Sequence, residues 1–234
     1  MKEKEIAVLF AAGKGTRLLP LTDTVPKPLI KVKGTPMLET LIRALRRRKV
    51  EKIYIVVGYK KECFTYLTEK YPEVELVENK DYQTTNNISS FYALGDLVGH
   101  HDCFLCESDI FIDDPNFFEG EFENSFYYGK HINGPTSDWV LEEKEHRLTA
   151  IKVGGENVHC AVGISFWKQK DIAYLKELVN KAYPTGLYDH MFWDQIGEEH
   201  LDEMYFTVVP VEENSIFEID TIEELIAMDP TYKE

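Results

Sequence analysis

Short apolar runs alternate with amphipathic stretches along the first half of the chain. Apolar residues recur at helical spacing over residues 36–49, 60–71 and 87–97. The apolar runs between them are typical of strands that are buried on both faces. They occupy residues 5–10, 53–57, 74–77 and 103–105. Because strands and helices alternate on short connections, the pattern predicts stacked β-α-β units around a parallel sheet.

The pattern changes after about residue 115. Four strand-like segments follow one another without helices between them, and Gly154-Gly155-Glu156-Asn157 predicts a turn. These strands are predicted at residues 125–128, 139–142, 148–153 and 161–167. The remaining pattern predicts helices at 168–182 and 188–200, a strand at 205–209 and a last helix from Thr221. With no repeat or linker, we expect one domain over residues 1–234, with a mixed-sheet part at about 116–220.

Composition narrows the class of protein. The 234 residues are 44% hydrophobic and 29% charged, which is typical of a folded globular chain. Four cysteines and no recognisable signal peptide favour a cytoplasmic protein, and no apolar run is long enough to span a membrane. The net charge of −15 argues against nucleic acid and anionic membranes as partners.

The charge is unevenly distributed. Residues 1–61 hold 15 Lys and Arg against 5 Asp and Glu, whereas residues 62–234 hold 11 against 36. One interpretation is a solvated surface of both signs. The other is that a polyanion binds the N-terminal part, while a metal or a cationic ligand faces the acidic part.

A glycine-rich segment follows the first strand. It reads Ala11-Ala12-Gly13-Lys14-Gly15-Thr16-Arg17, which lacks the ending of a P-loop and the last glycine of a dinucleotide fingerprint. Its backbone N–H groups can approach an anion, and Arg17 can grip phosphate oxygens with two parallel hydrogen bonds. Lys27, between two prolines, places a second positive charge nearby. A simple tight turn is the alternative interpretation.

Acidic and aromatic residues provide two further candidate sites. Asp109 follows an apolar run and Asp220 lies near the end of the chain, and two such carboxylates are a common protein contribution to a Mg²⁺ site. Trp139, Tyr188, Phe192 and Trp193 accompany Asp189, Asp194 and Glu218 in the acidic part. Aromatic faces with nearby carboxylates bind quaternary ammonium groups, although such aromatic residues are also common in cores. Cys103 and Cys106 face opposite sides of a predicted strand, which argues against a zinc or redox site.

The segment from Ala11 to Leu18, followed by Pro20-Leu21-Thr22 and Pro26-Lys27-Pro28-Leu29, resembles the signature of sugar-nucleotide-type nucleotidyltransferases. The resemblance implies a Rossmann-like three-layer α/β/α sandwich with a mostly parallel central sheet and a small mixed-sheet acceptor region. It also implies transfer of a nucleotide to a phosphorylated acceptor, with release of pyrophosphate.

Later segments resemble the bacterial CTP:phosphocholine cytidylyltransferases within that family. They include Thr85-Asn86-Asn87-Ile88, Phe192-Trp193-Asp194 and Asn214 to Asp220. The resemblance implies a CTP-binding part at about 1–115, with Ala11, Ala12, Gly13, Gly15 and Thr16 near the nucleotide. It also implies that Arg17 and Lys27 are catalytic residues that bind the triphosphate, and that Thr85 and Asn86 lie near the base. Asp109 and Asp220 would be the Mg²⁺ ligands. The residues implied around the acceptor are Trp139, Asp189, Phe192 and Glu218.

We therefore expect a Mg²⁺-dependent enzyme that converts CTP and phosphocholine to CDP-choline and pyrophosphate. Where the family has an acidic residue and a tyrosine, this chain has His190 and Phe192, so the alternative acceptors are 2-aminoethylphosphonate and phosphoethanolamine. A sugar-1-phosphate nucleotidyltransferase and a non-catalytic nucleotide-binding module are further alternatives. A homodimer is possible, and the chain is compatible with the N-terminal part of a longer fusion protein.

Overall fold

A computed structural model describes residues 4–233. Its central sheet has seven strands, which are β1 (Glu5–Ala11), β4 (Lys52–Val57), β5 (Val74–Glu78), β6 (Asp102–Glu107), β8 (Ser125–Lys144), β9 (Arg147–Trp167) and β10 (Phe206–Pro210). Their order in the sheet is β10-β8-β9-β6-β1-β4-β5. Only β9 runs antiparallel to its neighbours, so the sheet is mostly parallel, as predicted.

Two small antiparallel sheets lie outside the central one. They pair β2 (Lys31–Val32) with β3 (Thr35–Pro36), and β7 (Ile110–Ile112) with β11 (Ile216–Glu218). The helices are α1 (Met37–Arg48), α2 (Tyr66–Lys70), α3 (Ile88–Tyr92), α4 (Gln169–Ala182), α5 (Trp193–Glu198) and α6 (Ile222–Met228). The second pair of strands matters most for function, because it joins chain segments that are about a hundred residues apart.

Helices cover both faces of the central sheet. Alternate residues of β1 point to opposite sides, so that Leu9 packs with α1 and α2 while Val8 packs with α3, α4 and α5. Both faces of β1 are buried, which explains its continuous apolar sequence. The predicted three-layer α/β/α sandwich is confirmed. Cys103 and Cys106 lie in different clusters on opposite faces of β6, as expected from their spacing.

The predicted turn at residues 154–157 is wrong. This segment lies inside β9, and the four predicted strands of the middle part form two long strands, β8 and β9, with several register shifts. The hairpin turns instead at Glu145 and His146, both of which have positive φ. Gly154 also has positive φ, at +81°, so the glycine marks an irregularity within the pairing rather than a chain reversal.

Several predicted helices are shorter in the structure. The segment 60–71, expected as one helix, consists of a 3-10 turn at Lys61–Phe64 followed by α2. The segment 87–97, also expected as one helix, consists of α3 followed by a separate 3-10 turn at Gly95–Leu97. Of the stretch at 188–200, only α5 is helical. Among residues 4–233, none of the helices combines the length and the hydropathy that a membrane span requires.

The basic residues of α1 pair with carboxylates on neighbouring elements. Arg46 contacts Glu73, Arg47 contacts Glu119 at 3.3 Å, and the buried Arg48 forms two hydrogen bonds of 2.7 Å with Glu5. This part of the N-terminal positive charge is therefore used in ion pairs between elements.

Candidate active site

The site lies beside β1, where the order in which the chain adds parallel strands to the sheet changes direction. After β1 the chain continues to β4 on one side, while β6 on the other side of β1 arrives from a later segment. The crevice at the carboxyl ends of such strands is the usual ligand site of open α/β sheets. Here it receives the glycine-rich loop after β1 and Ser108 and Asp109 after β6.

The glycine-rich loop packs closely over Lys27. Gly15 has a φ of +63°, and a Cβ at this position would lie 2.6 Å from Cβ of Lys27. Glycine is thus required both for the left-handed backbone and for the close approach. The Lys27 side chain, only 8% exposed, passes beneath the loop toward the carboxylates of the site.

Lys27 and Arg17 form an ion-paired cluster with two aspartates. Nζ of Lys27 lies 2.6 Å from Oδ2 of Asp109 and 2.5 Å from Oδ1 of Asp220. Nη1 of Arg17 donates to Oδ2 of Asp220 at 2.7 Å, and its Nη2 lies 2.6 Å from Oδ1. Burial alone would lower the pKa of Lys27, but the two carboxylates raise it above its usual range, so the ammonium stays charged.

Asp109 and Asp220 meet because β7 and β11 pair. Glu218 lies opposite Ile110 in this antiparallel pair, and the N–H of Ile219 donates to the carbonyl of Asp109 at 3.0 Å. The N–H of Asp220 donates to Glu224 at 2.8 Å, which ties the aspartate to the first turn of α6. Backbone contacts on both sides therefore place the two carboxylates at one point.

Three carboxylates are arranged as a possible cation site. Asp109, Glu218 and Asp220 each offer an oxygen, and these oxygens all lie within 4.8 Å of one another. Oδ1 of Asp109 is buried and accepts no hydrogen bond from the described residues. Hard oxygen ligands and an unsatisfied carboxylate oxygen fit Mg²⁺.

Carboxyl groups extend beyond this cluster as well, and their mutual proximity favours the neutral form of several of them. Burial, together with Asp109 and Asp220, raises the pKa of Glu218 to about 8. Burial and the neighbouring carboxylates also raise the pKa of Glu107 well above its usual range, and burial raises that of Asp194 to about 6. A cation bound here would favour the ionised form of these carboxyl groups and so lower their pKa values.

Two cavities adjoin the cluster. The first, of about 210 Å³, is lined by the glycine-rich loop, Lys27 and the start of α3. The second, of about 400 Å³, combines carboxylates with aromatic side chains. Arg17, Asn87, Glu107 and Asp109 line both cavities. Two ligands could thus meet beside Asp109, one in each cavity.

Residues 6–125 match the family model described as nucleotidyl transferase. A 2-aminoethylphosphonate cytidylyltransferase of Lancefieldella rimae is 42% identical over 231 residues, covering 98% of this chain and 94% of that protein. The chain belongs to the nucleotidyl transferase family. It is therefore an enzyme of the nucleotidyltransferase class, and the resemblance seen in the sequence is confirmed.

Two further comparisons support this family membership. The choline-phosphate cytidylyltransferase of Streptococcus pneumoniae is 32% identical over 219 residues, covering 93% of this chain and 94% of that protein. The solved structure of CTP:phosphocholine cytidylyltransferase from Streptococcus pneumoniae matches with a TM-score of 0.90 at 30% identity, covering 97% of this chain and 99% of that one. The nucleotidyl transferase thus shares its fold with this relative over almost its whole length.

Most of the residues that the sequence assigned to this nucleotidyl transferase site lie around the two cavities. The first is lined by Ala11, Ala12, Gly13, Gly15, Arg17, Lys27 and Asp109, and the second by Arg17, Asp109, Trp139, Phe192, Glu218 and Asp220. Four assigned residues line neither cavity among residues 4–233; these are Thr16, Thr85, Asn86 and Asp189. Glu218, expected at the acceptor, also belongs to the carboxylate cluster.

Three acidic residues of the second cavity were given no role by the resemblance, although Asp194 was among the sequence candidates for a cation site. Glu107 ends β6, Asp194 lies in the first turn of α5, and Asp138 precedes Trp139 on β8. The sequence contained a signal for two of them, because Glu107 is two residues from Asp109 and Asp194 directly follows Trp193. Among 41 acidic residues, however, such neighbours carry little weight until the fold brings them to one wall.

Proposed function

We propose that this nucleotidyl transferase transfers a cytidylyl group from CTP to 2-aminoethylphosphonate and releases pyrophosphate. The observation that carries the proposal is the 42% identity with the Lancefieldella rimae enzyme of that name over 98% of the chain. The relatives named choline-phosphate cytidylyltransferases are 32% and 28% identical. The comparisons therefore favour the alternative acceptor over phosphocholine, which the sequence analysis placed first.

The lining of the second cavity supports a primary amine. A primary ammonium donates three hydrogen bonds and is best bound by carboxylates, whereas a trimethylammonium donates none and relies on aromatic faces. Two aromatic side chains at the mouth, Trp139 and Phe192, lie edge to face at 6.5 Å, and each is 41% exposed. The acidic side chains of this wall are Glu107, Asp109, Asp138, Asp194, Glu218 and Asp220. Asp109, Glu218 and Asp220 also form the candidate cation site. Glu107, Asp138 and Asp194 then remain as hydrogen-bond acceptors for a primary ammonium, which a trimethylammonium could not use.

The proposed reaction is a direct displacement at phosphorus. A phosphonate oxygen of the acceptor bonds to the α-phosphorus of CTP, while the bond from that phosphorus to the oxygen bridging the β-phosphorus breaks and pyrophosphate leaves. No covalent enzyme intermediate is required. In agreement, the hydroxyl of Ser108 in the first cavity already donates to the carbonyl of Phe10 at 2.6 Å.

In this reaction the chain positions the substrates and balances charge. Arg17 and Lys27 lie beside the glycine-rich loop and would bind triphosphate oxygens. Asp109, Glu218 and Asp220 would hold Mg²⁺, which neutralises phosphate charge when bound. The acidic wall would orient the ammonium so that the phosphonate faces the first cavity.

A comparison of acceptors tests the proposal. We expect kcat/KM for 2-aminoethylphosphonate to exceed that for phosphocholine by at least about tenfold, because the carboxylates of the second cavity accept hydrogen bonds that only a primary ammonium can donate. Pyrophosphate release is measured with CTP and Mg²⁺ against 2-aminoethylphosphonate, phosphoethanolamine, phosphocholine and glucose 1-phosphate. A preference for phosphocholine would restore the first expectation, and a preference for the sugar phosphate would overturn both amine assignments. No release with any acceptor would favour a non-catalytic module.

Replacing Trp139 by alanine should weaken binding of the acceptor more than binding of CTP. A cation over an aromatic face contributes about 0.5–2 kcal/mol, so the acceptor's KM should rise roughly 2- to 30-fold. The KM for CTP should stay nearly unchanged. Val153→Ala is the matched control, because Val153 pairs with Trp139 across the hairpin and is 64% exposed. Equal effects of the two substitutions would show that Trp139 does not contact the acceptor.

A further inference from the structure

Two segments, residues 85–87 and residues 189–193, which lead into α5, are joined by hydrogen bonds although they are about a hundred residues apart. The N–H of Asn86 donates to the carbonyl of Asp189 at 2.7 Å, and its side-chain Nδ2 donates to the carbonyl of His190 at 3.0 Å. The N–H of Trp193 donates to Oδ1 of Asn87 at 3.0 Å. The two asparagines therefore bind the backbone that carries one wall of the second cavity.

The wall residue Phe192 lies between two fixed points. On one side Trp193 is buried and stacks on Phe10, with ring centroids 5.4 Å apart. On the other side the carbonyls of Asp189 and His190 are held by Asn86. His190 and Phe192 are themselves exposed, but the Phe192 ring contacts Trp139 and the N–H of Phe192 donates to Oε1 of Gln195 at 2.8 Å. Among these contacts, the hydrogen bonds of Asn86 hold residues 189 and 190, where the chain approaches Phe192.

Both polar atoms of the Asn86 side chain make local hydrogen bonds. Its Oδ1 accepts from the N–H of Asn87 at 2.8 Å, and its Nδ2 donates to His190. A backbone N–H can only donate and a carbonyl can only accept, so the orientation of the carboxamide is unambiguous. Within the described chain Asn86 does not line the first cavity, which would hold the nucleotide. The role near the base that the sequence implied for Asn86 stays a prediction.

Asn87 connects the same segment to the sheet. Its Nδ2 donates to Oε1 of Glu107 at 3.3 Å, at the end of β6, and its side chain lines both cavities. The segment 85–87 is thereby tied to a rigid strand on one side and to the acceptor wall on the other. A substitution that breaks the outer link leaves this inner link in place.

We propose that Asn86 is a positioning residue of the acceptor pocket. Its carboxamide holds residues 189 and 190 so that Phe192 forms the wall of the second cavity, and it acts on the acceptor through this segment. The identity of the acceptor rests on the function proposed above, but the positioning role applies to any ligand of the second cavity.

The substitution Asn86→Asp tests this role with almost no change in shape. A carboxylate cannot donate to the carbonyl of His190 and repels it, whereas the backbone N–H of residue 86 is retained. We expect the acceptor's KM to rise about 5- to 10-fold, as expected for the loss of one hydrogen bond, with the KM for CTP unchanged within about twofold. Asn86→Ala should give a similar split. Gln83→Ala is the control, because Gln83 lies on the same turn and bonds only to Tyr82 within the described residues.

A second measurement does not depend on turnover. Amide hydrogen exchange should become faster at residues 189–193 in Asn86→Asp and stay slow along β6, because only the outer link is broken. A rise in the KM for CTP without a rise for the acceptor would assign Asn86 to the nucleotide and overturn the proposal. Unchanged exchange at residues 189–193 would overturn it as well.

The identity of the acceptor and the positioning role of Asn86 are tested independently of each other. The KM values for acceptor and for CTP are measured once with 2-aminoethylphosphonate and once with phosphocholine as acceptor. With either acceptor, its KM should rise in Asn86→Asp while the KM for CTP stays unchanged. A preference for phosphocholine would contradict the proposed function and leave the positioning role intact. An unchanged acceptor KM in Asn86→Asp would contradict the positioning role, whichever acceptor is preferred.

Discussion

Asp109→Asn and Asp220→Asn should each reduce kcat by about 10²–10³-fold or more while the fold survives. Each substitution keeps the size of the side chain and removes one of the carboxylates within 4.8 Å of one another. Without that charge the site loses affinity for Mg²⁺, and the negative charge on the departing pyrophosphate is less well balanced. The measurement is pyrophosphate release at saturating CTP, acceptor and Mg²⁺, together with thermal unfolding.

Asp113→Asn provides the matched control for these two variants. Asp113 lies four residues beyond Asp109, is 54% exposed and contacts Lys33 at 3.6 Å on the surface. We expect wild-type turnover from it. If Asp109→Asn and Asp220→Asn both retain more than about a tenth of the rate, the assignment of these carboxylates to the metal is wrong.

Lys27→Met should cause the second large loss of activity, through weaker binding of CTP. The buried ammonium lies between Asp109 and Asp220, and methionine keeps its length without its charge. Loss of a charge-assisted contact to phosphate costs about 1.5–3 kcal/mol, so kcat/KM for CTP should fall roughly 10- to 100-fold, and further because the aspartates lose their counter-charge. Arg17→Ala should produce a fall of similar size, since its guanidinium also faces the first cavity.

The acceptor preference should not change in either variant. Lys31→Met is the control, because Lys31 lies close in sequence on the exposed side of β2. The measurement is kcat/KM for CTP at saturating acceptor, followed by the ratio of kcat/KM values for two acceptors. If the ratio of kcat/KM values for the two acceptors changes while the CTP kinetics stay normal, Lys27 and Arg17 contact the acceptor rather than the nucleotide.

The sequence predicted the N-terminal half of the fold well because its strands are buried on both faces. A strand such as β1 reads as an unbroken apolar run, which has few alternative interpretations. The hairpin of β8 and β9 was harder, since much of it is exposed and its glycines resemble turn signals. Cross-strand pairing with Thr136 keeps Gly155 within the strand, and local composition does not contain that information.

The sequence by itself determined the class of chemistry, because the glycine-rich segment, Arg17 and Lys27 lie within one short stretch and form a recognisable signature. Only the tertiary structure decided which distant side chains meet. Glu218 joins Asp109 through the pairing of β7 with β11, and Asn86 reaches His190 rather than the first cavity. The physical reason is that local patterns record burial and backbone preference, whereas contacts between distant segments depend on how strands pair and helices pack.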